Sequence, residues 1–238
     1  MTNDTPRRPR AYDKGMATEG SPDPRKHWES VYSAKATTEV SWYQSEATLS
    51  HELIRKVAPD RSSAILDVGG GASTLVDSLV EEGYSNVGVL DIASNALDAA
   101  KARLGPAAGR VRWLTGNVLD ADIADHTIDV WHDRAVFHFL LSADDRGRYV
   151  GQVRRTLRPG GHVIIATFAE DGPEQCSGLH VARYDAAQMQ AEFGPDFELL
   201  DSIREEHTTP SGKRQSFRYC IFAYAIRDVP LRRGPFLS

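Results

Sequence analysis

Short apolar runs alternate with amphipathic stretches along the middle of the chain. Ala64 to Val68 is an apolar-rich run that leads directly into three glycines, and the stretch after it places four aliphatic residues on one helical face. These four are Leu75, Val76, Leu79 and Val80. The alternation of strand and helix patterns is typical of βαβ units and a mainly parallel sheet. Further strands are predicted near 86–90, 110–114, 128–131, 162–168, 197–203 and 215–226.

Polar residues predict where the helices begin and end. Ser73 or Thr74 is the expected N-cap of the first helix after the glycines, and Ser94 that of the next. Ser142 followed by Asp145 resembles a capping box with Asp in place of Glu. The helix behind it is expected to end at the Arg-Pro-Gly-Gly sequence of 158–161, before the 162–168 strand.

The end of the chain carries one more helix pattern, at 186–193, and then two strands without a long helix between them. Such a pair predicts an antiparallel hairpin at the edge of a sheet. The expected fold is therefore α/β, a Rossmann-like three-layer sandwich with a seven-stranded, mainly parallel sheet and an antiparallel edge hairpin. Phe217, Tyr219 and Ile221 are the expected core members of the last strand.

Composition sets the boundaries of this domain and its class. The chain has 238 residues, enough for one substantial core, and its ends mix charges, Pro and Gly without apolar periodicity. We predict a flexible N-terminal arm over 1–24, one domain over 25–226 and a C-terminal tail over 227–238. No apolar run is long enough to cross a membrane, and no secretion signal is present, so a cytoplasmic location is expected.

Charge and cysteine content narrow the possible partners. The net charge of -5 disfavours nucleic acid and anionic membranes as general partners and favours a small-molecule substrate. Cys176 and Cys220 lack the spacing of a zinc site, so no metal is expected, and reduced buried thiols are favoured over a disulfide. A monomer or weak homodimer is expected.

The glycines at 69–71 and an acidic residue 24 positions after Asp67 form the principal motif. Gly69, Gly70 and Gly71 stand where a strand turns into a helix, so the backbone can approach a ligand closely. Asp91 closes the next strand, the position from which a carboxylate in such folds accepts hydrogen bonds from ribose hydroxyls. The two features together indicate an adenosine-containing ligand, although a tight turn without a ligand remains an alternative.

The spacing of the glycines bears on which adenosine cofactor is meant. A dinucleotide site requires Gly-X-Gly-X-X-Gly, and here the sixth position from Gly69 is Thr74. No Gly-Lys-Ser/Thr follows, so a Walker phosphate loop is also absent from the sequence. A pyrophosphate-containing ligand is therefore disfavoured.

At this point the residues resemble the class I S-adenosylmethionine (SAM) dependent methyltransferases. Asp67-X-Gly69-X-Gly71 is similar to their first motif, Asp91 to their ribose-binding acid, and 116–118 to the loop that brackets adenine. The Leu-Arg-Pro-Gly-Gly of 157–161 resembles the turn before their fifth strand. The family usually has Asp where Asn117 stands, which implies weaker adenine binding. The region from Asp133 to Val136 is more narrowly similar to the thiopurine or thiol type.

The resemblance implies a set of site residues. Asp67 is expected beside the SAM amino group, and an N-terminal aromatic cover is expected to face the sulfonium by cation–π contact. The expected cofactor-binding residues are Trp28, Tyr32, Trp42, Asp67, Gly69, Gly70, Gly71, Asp91, Ile92, Asn117, Val118 and Asp133. Packing of the N-terminal aromatics as plain core residues is the alternative.

The end of the fourth strand is the predicted catalytic region, because it lies beside the presumed methyl donor. Asp133, Arg134 and His138 are the candidates for holding a substrate or moving a proton, and His132 is a weaker one. The alternative is an Asp133–Arg134 structural ion pair with His138 packed against the sheet. The stretch 170–184 is too irregular for a packed element and is a candidate substrate lid, with Cys176, His180 and Arg183 near the substrate. A mobile surface loop is the alternative.

Three functions remain open from the sequence. The first is a SAM-dependent methyltransferase acting on a small molecule, with a thiol or other soft nucleophile as acceptor. The second is a protein lysine methyltransferase, since the N-terminal Trp and Tyr residues at 28–43 are also similar to that class. The third is a SAM-binding or dinucleotide-binding protein without methyl transfer, or a dehydrogenase.

Overall fold

The computed structural model describes residues 23–225. The predicted tail over 227–238 and nearly all of the predicted arm over 1–24 lie outside them, as does Ile226, the predicted end of the last strand. The first helix begins at Pro24, with the Asp23 carboxylate accepting a hydrogen bond from the Arg25 amide, so the last two residues of the predicted arm belong to the folded part. Within 23–225 no helix has the length and apolar character needed to cross a bilayer.

Six α-helices, two short 3-10 helices (Gly105–Arg110 and Phe137–Phe139) and nine strands make up the regular structure of residues 23–225. The helices are α1 (Pro24–Ala34), α2 (Thr48–Val57), α3 (Leu75–Glu81), α4 (Ser94–Leu104), α5 (Ala143–Thr156) and α6 (Ala186–Phe193). The strands are β1 (Ile65–Val68), β2 (Val87–Asp91), β3 (Val111–Thr115), β4 (Ile128–Arg134), β5 (Leu157–Phe168), β6 (Gln175–Cys176), β7 (Leu179–His180), β8 (Phe197–Thr208) and β9 (Arg214–Tyr224). The predicted strands and helices are thus confirmed, with shifted ends.

Seven of the strands form one sheet in the order β3-β2-β1-β4-β5-β9-β8. The first five are parallel, and β9 runs antiparallel to both β5 and β8. The seven-stranded sheet and its antiparallel edge hairpin are therefore confirmed. The strand order reverses direction between β1 and β4, and in open α/β sheets ligands bind at the carboxyl ends of the strands beside such a switch point.

The core divides into two clusters, one on each face of the sheet. Consecutive strand residues alternate between them: Ile65 and Val130 belong to one, Leu66 and Trp131 to the other. Helices α2, α3 and α4 cover the first face and α5 and α6 the second, which is the expected three-layer sandwich. The residues predicted to be buried by α3 and β9 are buried: Leu75, Val76, Leu79, Val80, Phe217, Tyr219 and Ile221.

Of three local predictions about helix starts, those at Ser94 and at Ser142–Asp145 need correction, and the one at Ser73–Thr74 is confirmed. Ser94 is the first residue of α4 and caps nothing; the Asp91 carboxylate accepts from the Ala93 amide there instead. Ser142 does cap α5, but Asp145 accepts the serine hydroxyl rather than returning a bond to the backbone, so no capping box forms. At α3 the Ser73 hydroxyl accepts from the Leu75 amide, while Thr74 donates to the Gln44 carbonyl.

Two strand and loop predictions also need correction. The Arg-Pro-Gly-Gly turn does not separate helix from strand, because β5 begins at Leu157, pairs with Ile128 and passes through a register shift before His162 meets Val130. The 170–184 stretch is not wholly irregular, since it contains the β6–β7 hairpin and a bridge between Ala169 and Tyr184.

Helix α5 offers a stability test that is independent of the site. Gly147 lies on its exposed face, and a Cβ there would contact nothing within 4 Å. We expect Gly147→Ala to raise the free energy of unfolding by roughly 0.5–1 kcal/mol, because alanine loses less backbone entropy in a helix. Urea denaturation measures this. Gly105→Ala is the matched control: its site is equally open, but its φ of 57° should make that variant less stable.

Candidate functional site

The glycines after β1 form a bend, defined here as the glycine bend (residues 69–71), which only glycine can build. Gly69 and Gly71 have φ values of 65° and 43°, a region that side chains strongly disfavour. A Cβ on Gly70 would collide with the Asp67 carboxylate and lie 2.8 Å from Val89 Cγ1. The Gly69 amide is tied to the Leu90 carbonyl at 2.7 Å. The bend therefore exposes bare backbone at the carboxyl end of β1.

A buried carboxylate faces this bend from the next strand. Asp91 ends β2, is 8% exposed, and its Oδ2 lies 2.8 Å from the position of a Gly71 Cβ. Burial raises the pKa of Asp91 to about 7, and the nearby Asp67 adds to the rise, although backbone amides favour the charged form. Hydroxyl groups that donate to this carboxylate would stabilise its ionised state. The bend and the carboxylate thus fit the ribose and the amino-acid part of an adenosyl cofactor.

Asp67, in β1 just before the glycine bend, also fits the amino-acid part of an adenosyl cofactor. It is 2% exposed, and its Oδ1 pairs with His132 Nδ1 at 2.7 Å. Its Oδ2 is buried and has no hydrogen-bond partner among the described residues. A buried oxygen without a partner is costly unless a ligand supplies a donor. The ammonium group of SAM is such a donor, and its contact with Asp67 remains a prediction.

The loop after β3 lies next to the bend. The Gly116 amide donates to the Asp91 carbonyl at 2.9 Å, which joins the loop to the end of β2. The Asn117 side-chain oxygen accepts from the Leu119 amide at 3.0 Å and keeps a second lone pair for an adenine amino group. Val118 is buried and Ile92 half-buried. These residues stand where the sequence analysis expects the adenine, and the contacts themselves are predictions.

An N-terminal segment lies over the bend; residues 24–47 are called the cover here. Its aromatic side chains pack edge to face. The ring centre of Trp28 lies 5.7 Å from that of Trp42 and 5.0 Å from that of Phe139, and the ring centres of Tyr32 and Trp42 are 6.0 Å apart. The Tyr32 hydroxyl lies 2.8 Å from the Gly71 Cβ position, beside Asp91. Burial raises the pKa of Tyr32, and the Asp91 charge adds to this rise. The three predicted aromatics are therefore brought together over the glycine bend, and at the same time they pack on each other.

Hydrogen bonds from three elements hold the cover in place. Asn95 at the start of α4 donates to the Glu29 carbonyl at 2.9 Å. Arg134 donates to the Trp42 carbonyl at 3.1 Å, and Gln44 donates to Glu205 at 3.1 Å. A narrow cavity of about 40 Å³ remains between the cover, the bend and the end of β4.

Asp133, predicted to be catalytic and cofactor-binding, has both carboxylate oxygens engaged. Oδ1 accepts from the Val136 amide at 2.9 Å, while Oδ2 accepts from the Phe137 amide at 3.1 Å and from the Tyr149 hydroxyl at 2.5 Å. Ala135, inside this turn, has a φ of 73°. Burial raises the pKa of Asp133 to about 6, against the lowering effect of these donors. The geometry favours a structural role for Asp133, which shapes the turn after β4.

Removing the Tyr149 hydroxyl tests this role. It donates to Asp133 and accepts from Trp131 Nε1 at 2.8 Å, all in the buried core. We expect Tyr149→Phe to lower the free energy of unfolding by about 1–3 kcal/mol, because a buried indole N–H loses its partner and a buried carboxylate loses a donor. Urea denaturation gives the value. Tyr184→Phe is the control, since burial and the charges of Glu192 and Arg146 act on its hydroxyl, with no hydrogen bond among the described residues.

Arg134, the second predicted catalytic residue, bonds the cover and packs against β9. Besides the Trp42 carbonyl, it bonds the Tyr219 hydroxyl at 3.1 Å and Glu205 at 3.3 Å, and its guanidinium lies 4.3 Å from the Phe217 ring centre. The alternative Asp133–Arg134 ion pair does not form, because Asp133 bonds Tyr149 and backbone amides instead. Arg134 lines the cavity, and its contact with a substrate remains a prediction.

His138, the third predicted catalytic residue, is packed against the sheet. Its ring lies 4.5 Å from that of Phe139 and 4.9 Å from that of Phe168, and its Nδ1 accepts from the Phe168 amide at 3.3 Å. Burial lowers the pKa of His138 to about 3, and the charge of Arg134 lowers it further. So weak a base accepts a proton poorly at neutral pH, which argues against general-base catalysis by His138.

The three predicted substrate residues of the 170–184 stretch lie apart. Cys176 is buried in β6, where burial raises the pKa of its thiol to about 11, and it lies near Ser41 of the cover. His180 is exposed, and Arg183 bonds the Gly172 carbonyl and Glu174. Only Cys176 is thus close to the cover. Among the described residues no group of three His, Cys, Asp or Glu side chains is placed to hold a metal.

Sequence reasoning missed a buried polar chain beside the bend. His132 Nε2 bonds Ser50 Oγ at 2.9 Å, and Ser50 Oγ bonds the Tyr219 hydroxyl at 3.1 Å. Ser50 and His132 line the cavity together with Asp67. Ser50 and Tyr219 come from α2 and β9, so nothing in the sequence pattern joins them. A His at the end of β4, in register with Asp67 of β1, was the one available signal.

Comparisons with known proteins agree with this geometry. A family model described as a methyltransferase domain matches residues 65–161. The eEF1A lysine and N-terminal methyltransferase of Mus musculus is 24% identical over 150 residues, which are 60% of this chain and 21% of that protein. The ubiquinone/menaquinone biosynthesis C-methyltransferase UbiE of Roseobacter denitrificans is 26% identical over 117 residues, 48% of this chain and 46% of that protein. The chain thus spans less than half the length of these two relatives.

A solved structure shares the fold. The 1,6-didemethyltoxoflavin-N1-methyltransferase of Burkholderia thailandensis, with bound 1,6-didemethyltoxoflavin and S-adenosylhomocysteine, superposes with a TM-score of 0.62 at 19% identity, covering 85% of this chain and 87% of that one. The family match spans β1 to the turn in β5 and contains the bend and Asp91. Over residues 65–161 and in its fold, the chain is similar to the class I SAM-dependent methyltransferases, and these matches support SAM as the cofactor.

Proposed function

We propose that the chain transfers the methyl group of SAM to a small-molecule acceptor. The observation that carries this proposal is the enclosure of the cavity beside the glycine bend. Its outer wall is the cover, whose position is set by bonds to Arg134, Glu205 and the His207 ring, the last to the Ser41 carbonyl at 2.8 Å. A protein tail needs an open groove, whereas a metabolite can be enclosed.

The residues of the chain contribute binding, orientation and exclusion of water. When bound, SAM supplies a sulfonium-activated methyl group and a neutral thioether leaving group. In this proposal Asp91 holds the ribose hydroxyls, and the glycine bend lets the amino-acid part lie against bare backbone. Trp28, Tyr32 and Trp42 shield the reacting atoms, and an aromatic face near a sulfonium is worth roughly 0.5–2 kcal/mol. The cavity is much smaller than usual ligand sites of about 300–1,000 Å³, so the cover has to open for ligand entry.

The chemistry of the cavity favours a soft acceptor within the small-molecule class. Its ionisable side chains already bond one another, as His132 does with Asp67 and Arg134 with Glu205. An acceptor that needs no dedicated base suits such a site. A thiol does, because its thiolate forms in appreciable amounts near neutral pH, from a pKa of about 8.5. The pairing of these side chains thus supports the resemblance to the thiol type.

Protein lysine methylation is the second candidate, and the similarity to the eEF1A lysine and N-terminal methyltransferase favours it. One experiment separates the two. The full chain is incubated with SAM labelled in its methyl group, a panel of thiols, amines and hydroxyl compounds, and in parallel a protein lysate. We expect label in a small-molecule product, with thiols giving most.

The controls decide what each outcome means. Label confined to a protein band would replace the proposal with protein methylation. S-adenosylhomocysteine binding without transfer to any acceptor would favour the non-catalytic alternative. An Asp91→Asn variant assayed in parallel should lose the label wherever the wild type deposits it, which excludes a contaminating enzyme.

A further inference from the structure

A line of buried hydrogen bonds runs from the β8–β9 hairpin to the glycine bend. Arg134 Nε bonds the Tyr219 hydroxyl at 3.1 Å, Tyr219 bonds Ser50 at 3.1 Å, Ser50 bonds His132 Nε2 at 2.9 Å, and His132 Nδ1 bonds Asp67 at 2.7 Å. Ser50, Asp67, His132 and Tyr219 are each at most 2% exposed. Such a chain is expensive to bury unless every member is satisfied.

One arrangement of protons satisfies every bond in the line. An ionised Asp67 only accepts, so His132 Nδ1 carries the proton that it donates. In the neutral ring Nε2 then accepts from the Ser50 hydroxyl, whose oxygen in turn accepts from Tyr219. The Tyr219 oxygen accepts from the Arg134 guanidinium, which only donates. All the donors point toward Asp67, so each bond polarises the next in the same direction.

The line ends on an oxygen with no protein partner. Asp67 Oδ1 is held by His132, and Oδ2, buried and unpartnered among the described residues, faces the glycine bend, where a Gly70 Cβ would collide with it. His132 stands directly opposite Asp67 on the neighbouring parallel strand. By binding one oxygen, His132 fixes the rotation of the carboxylate and therefore the direction of the other.

We propose that His132, held by Ser50 and Tyr219, is a positioning residue that aims the free oxygen of Asp67 at the ammonium group of the bound cofactor. In this proposal His132 acts through Asp67 and not by its own contact with the cofactor. The inference rests on the proposed cofactor site. It assigns a binding role to a histidine whose neighbours in sequence, Asp133 and Arg134, are engaged in shaping the turn and holding the cover.

Two ligands separate this role from a general structural one. S-adenosylhomocysteine carries the ammonium group, and 5′-methylthioadenosine has the same adenosine and sulfur without the amino-acid part. Calorimetry on the full chain measures both affinities. We expect His132→Gln, which lacks a donor at the Nδ1 position, to bind S-adenosylhomocysteine at least about 10-fold more weakly than the wild type does, as for a lost bond to a charged group. Its affinity for 5′-methylthioadenosine should stay within roughly threefold of wild type, the scale of unrelated changes.

His132→Asn is the matched variant, because its side-chain amide can replace the Nδ1 donor to Asp67 while losing the bond to Ser50. It should recover most of the affinity for S-adenosylhomocysteine that His132→Gln loses. Circular dichroism and thermal unfolding confirm that both variants fold.

The contrary results are specific. Equal weakening of both ligands in His132→Gln, or wild-type affinity for S-adenosylhomocysteine in that variant, would overturn the positioning role. A wild-type protein that binds neither ligand would instead reject the cofactor site itself, and the inference with it. A wild type that binds both ligands equally well would show that Asp67 makes no use of the ammonium group.

Discussion

The Asp91→Asn variant is expected to lose about 100-fold or more in affinity for S-adenosylhomocysteine, because two ribose hydroxyls each lose a charged acceptor worth roughly 1.5–3 kcal/mol. Asp91 ends β2 beside the glycine bend, with its Oδ2 2.8 Å from the Gly71 Cβ position. The measurement is calorimetry at pH 8 on the full chain. Asp98→Asn, which removes an exposed carboxylate of α4, is the control and should bind as the wild type does.

The raised pKa of Asp91 provides a second, independent test of its contact with the ribose. Burial raises the pKa of Asp91 to about 7, and ribose hydroxyls donate to the ionised form. Binding therefore requires loss of the proton, and wild-type affinity should fall as the pH drops below about 7, by up to tenfold per pH unit, and level off above it. The Asn variant should lack this dependence. A variant that binds within threefold of wild type, or a wild type whose affinity is the same at pH 5.5 and 8, would show that Asp91 does not hold the ribose.

The Gly70→Ala variant is expected to lose cofactor binding and stability together. Gly70 is the one residue of the glycine bend without a positive φ, so alanine there tests close approach and not backbone strain. Its Cβ would collide with the Asp67 carboxylate and press on Val89. Overpacking of this kind costs about 1–3 kcal/mol of stability. The displaced Asp67 would also no longer face the bend.

Thermal unfolding with and without S-adenosylhomocysteine measures both effects. The wild type should be stabilised by the ligand, and Gly70→Ala should unfold at lower temperature and gain nothing from it. Gly109→Ala, at a position where a Cβ meets nothing within 4 Å, should behave as the wild type does. A Gly70→Ala protein that the ligand stabilises as strongly as the wild type would mean that the bend does not contact the cofactor.

The parts of the site that could be predicted are those set by local sequence. The glycine bend follows directly on β1 and Asp91 ends β2, and the carboxyl ends of parallel strands meet at one edge of a sheet. Periodicity was similarly sufficient for α6, whose bounds at Ala186 and Phe193 agree with the prediction. The start of β5 was not predictable. A register shift opposite Ile128 lets β5 include the Arg-Pro-Gly-Gly sequence, which normally ends a strand.

The side-chain roles at the end of β4 depend on partners distant in the chain. Asp133 and Arg134 have the composition of a catalytic pair, but Tyr149 binds one and Tyr219 and Glu205 bind the other. The sequence made His132 a weaker catalytic candidate than Asp133 and Arg134. Of the three, His132 is the one that hydrogen-bonds Asp67. Residue type indicates which chemistry is possible, whereas the partners that decide the role are set by tertiary packing.

The central claim is that the glycine bend and Asp91 hold an adenosyl cofactor by its ribose and amino-acid parts. Calorimetric titration of the full wild-type chain with S-adenosylhomocysteine, and separately with NAD, tests it most directly. Saturable binding of one S-adenosylhomocysteine per chain is predicted, with no heat from NAD, since Thr74 stands where the dinucleotide fingerprint has its last glycine. Saturable binding of NAD together with no heat from S-adenosylhomocysteine would contradict the account.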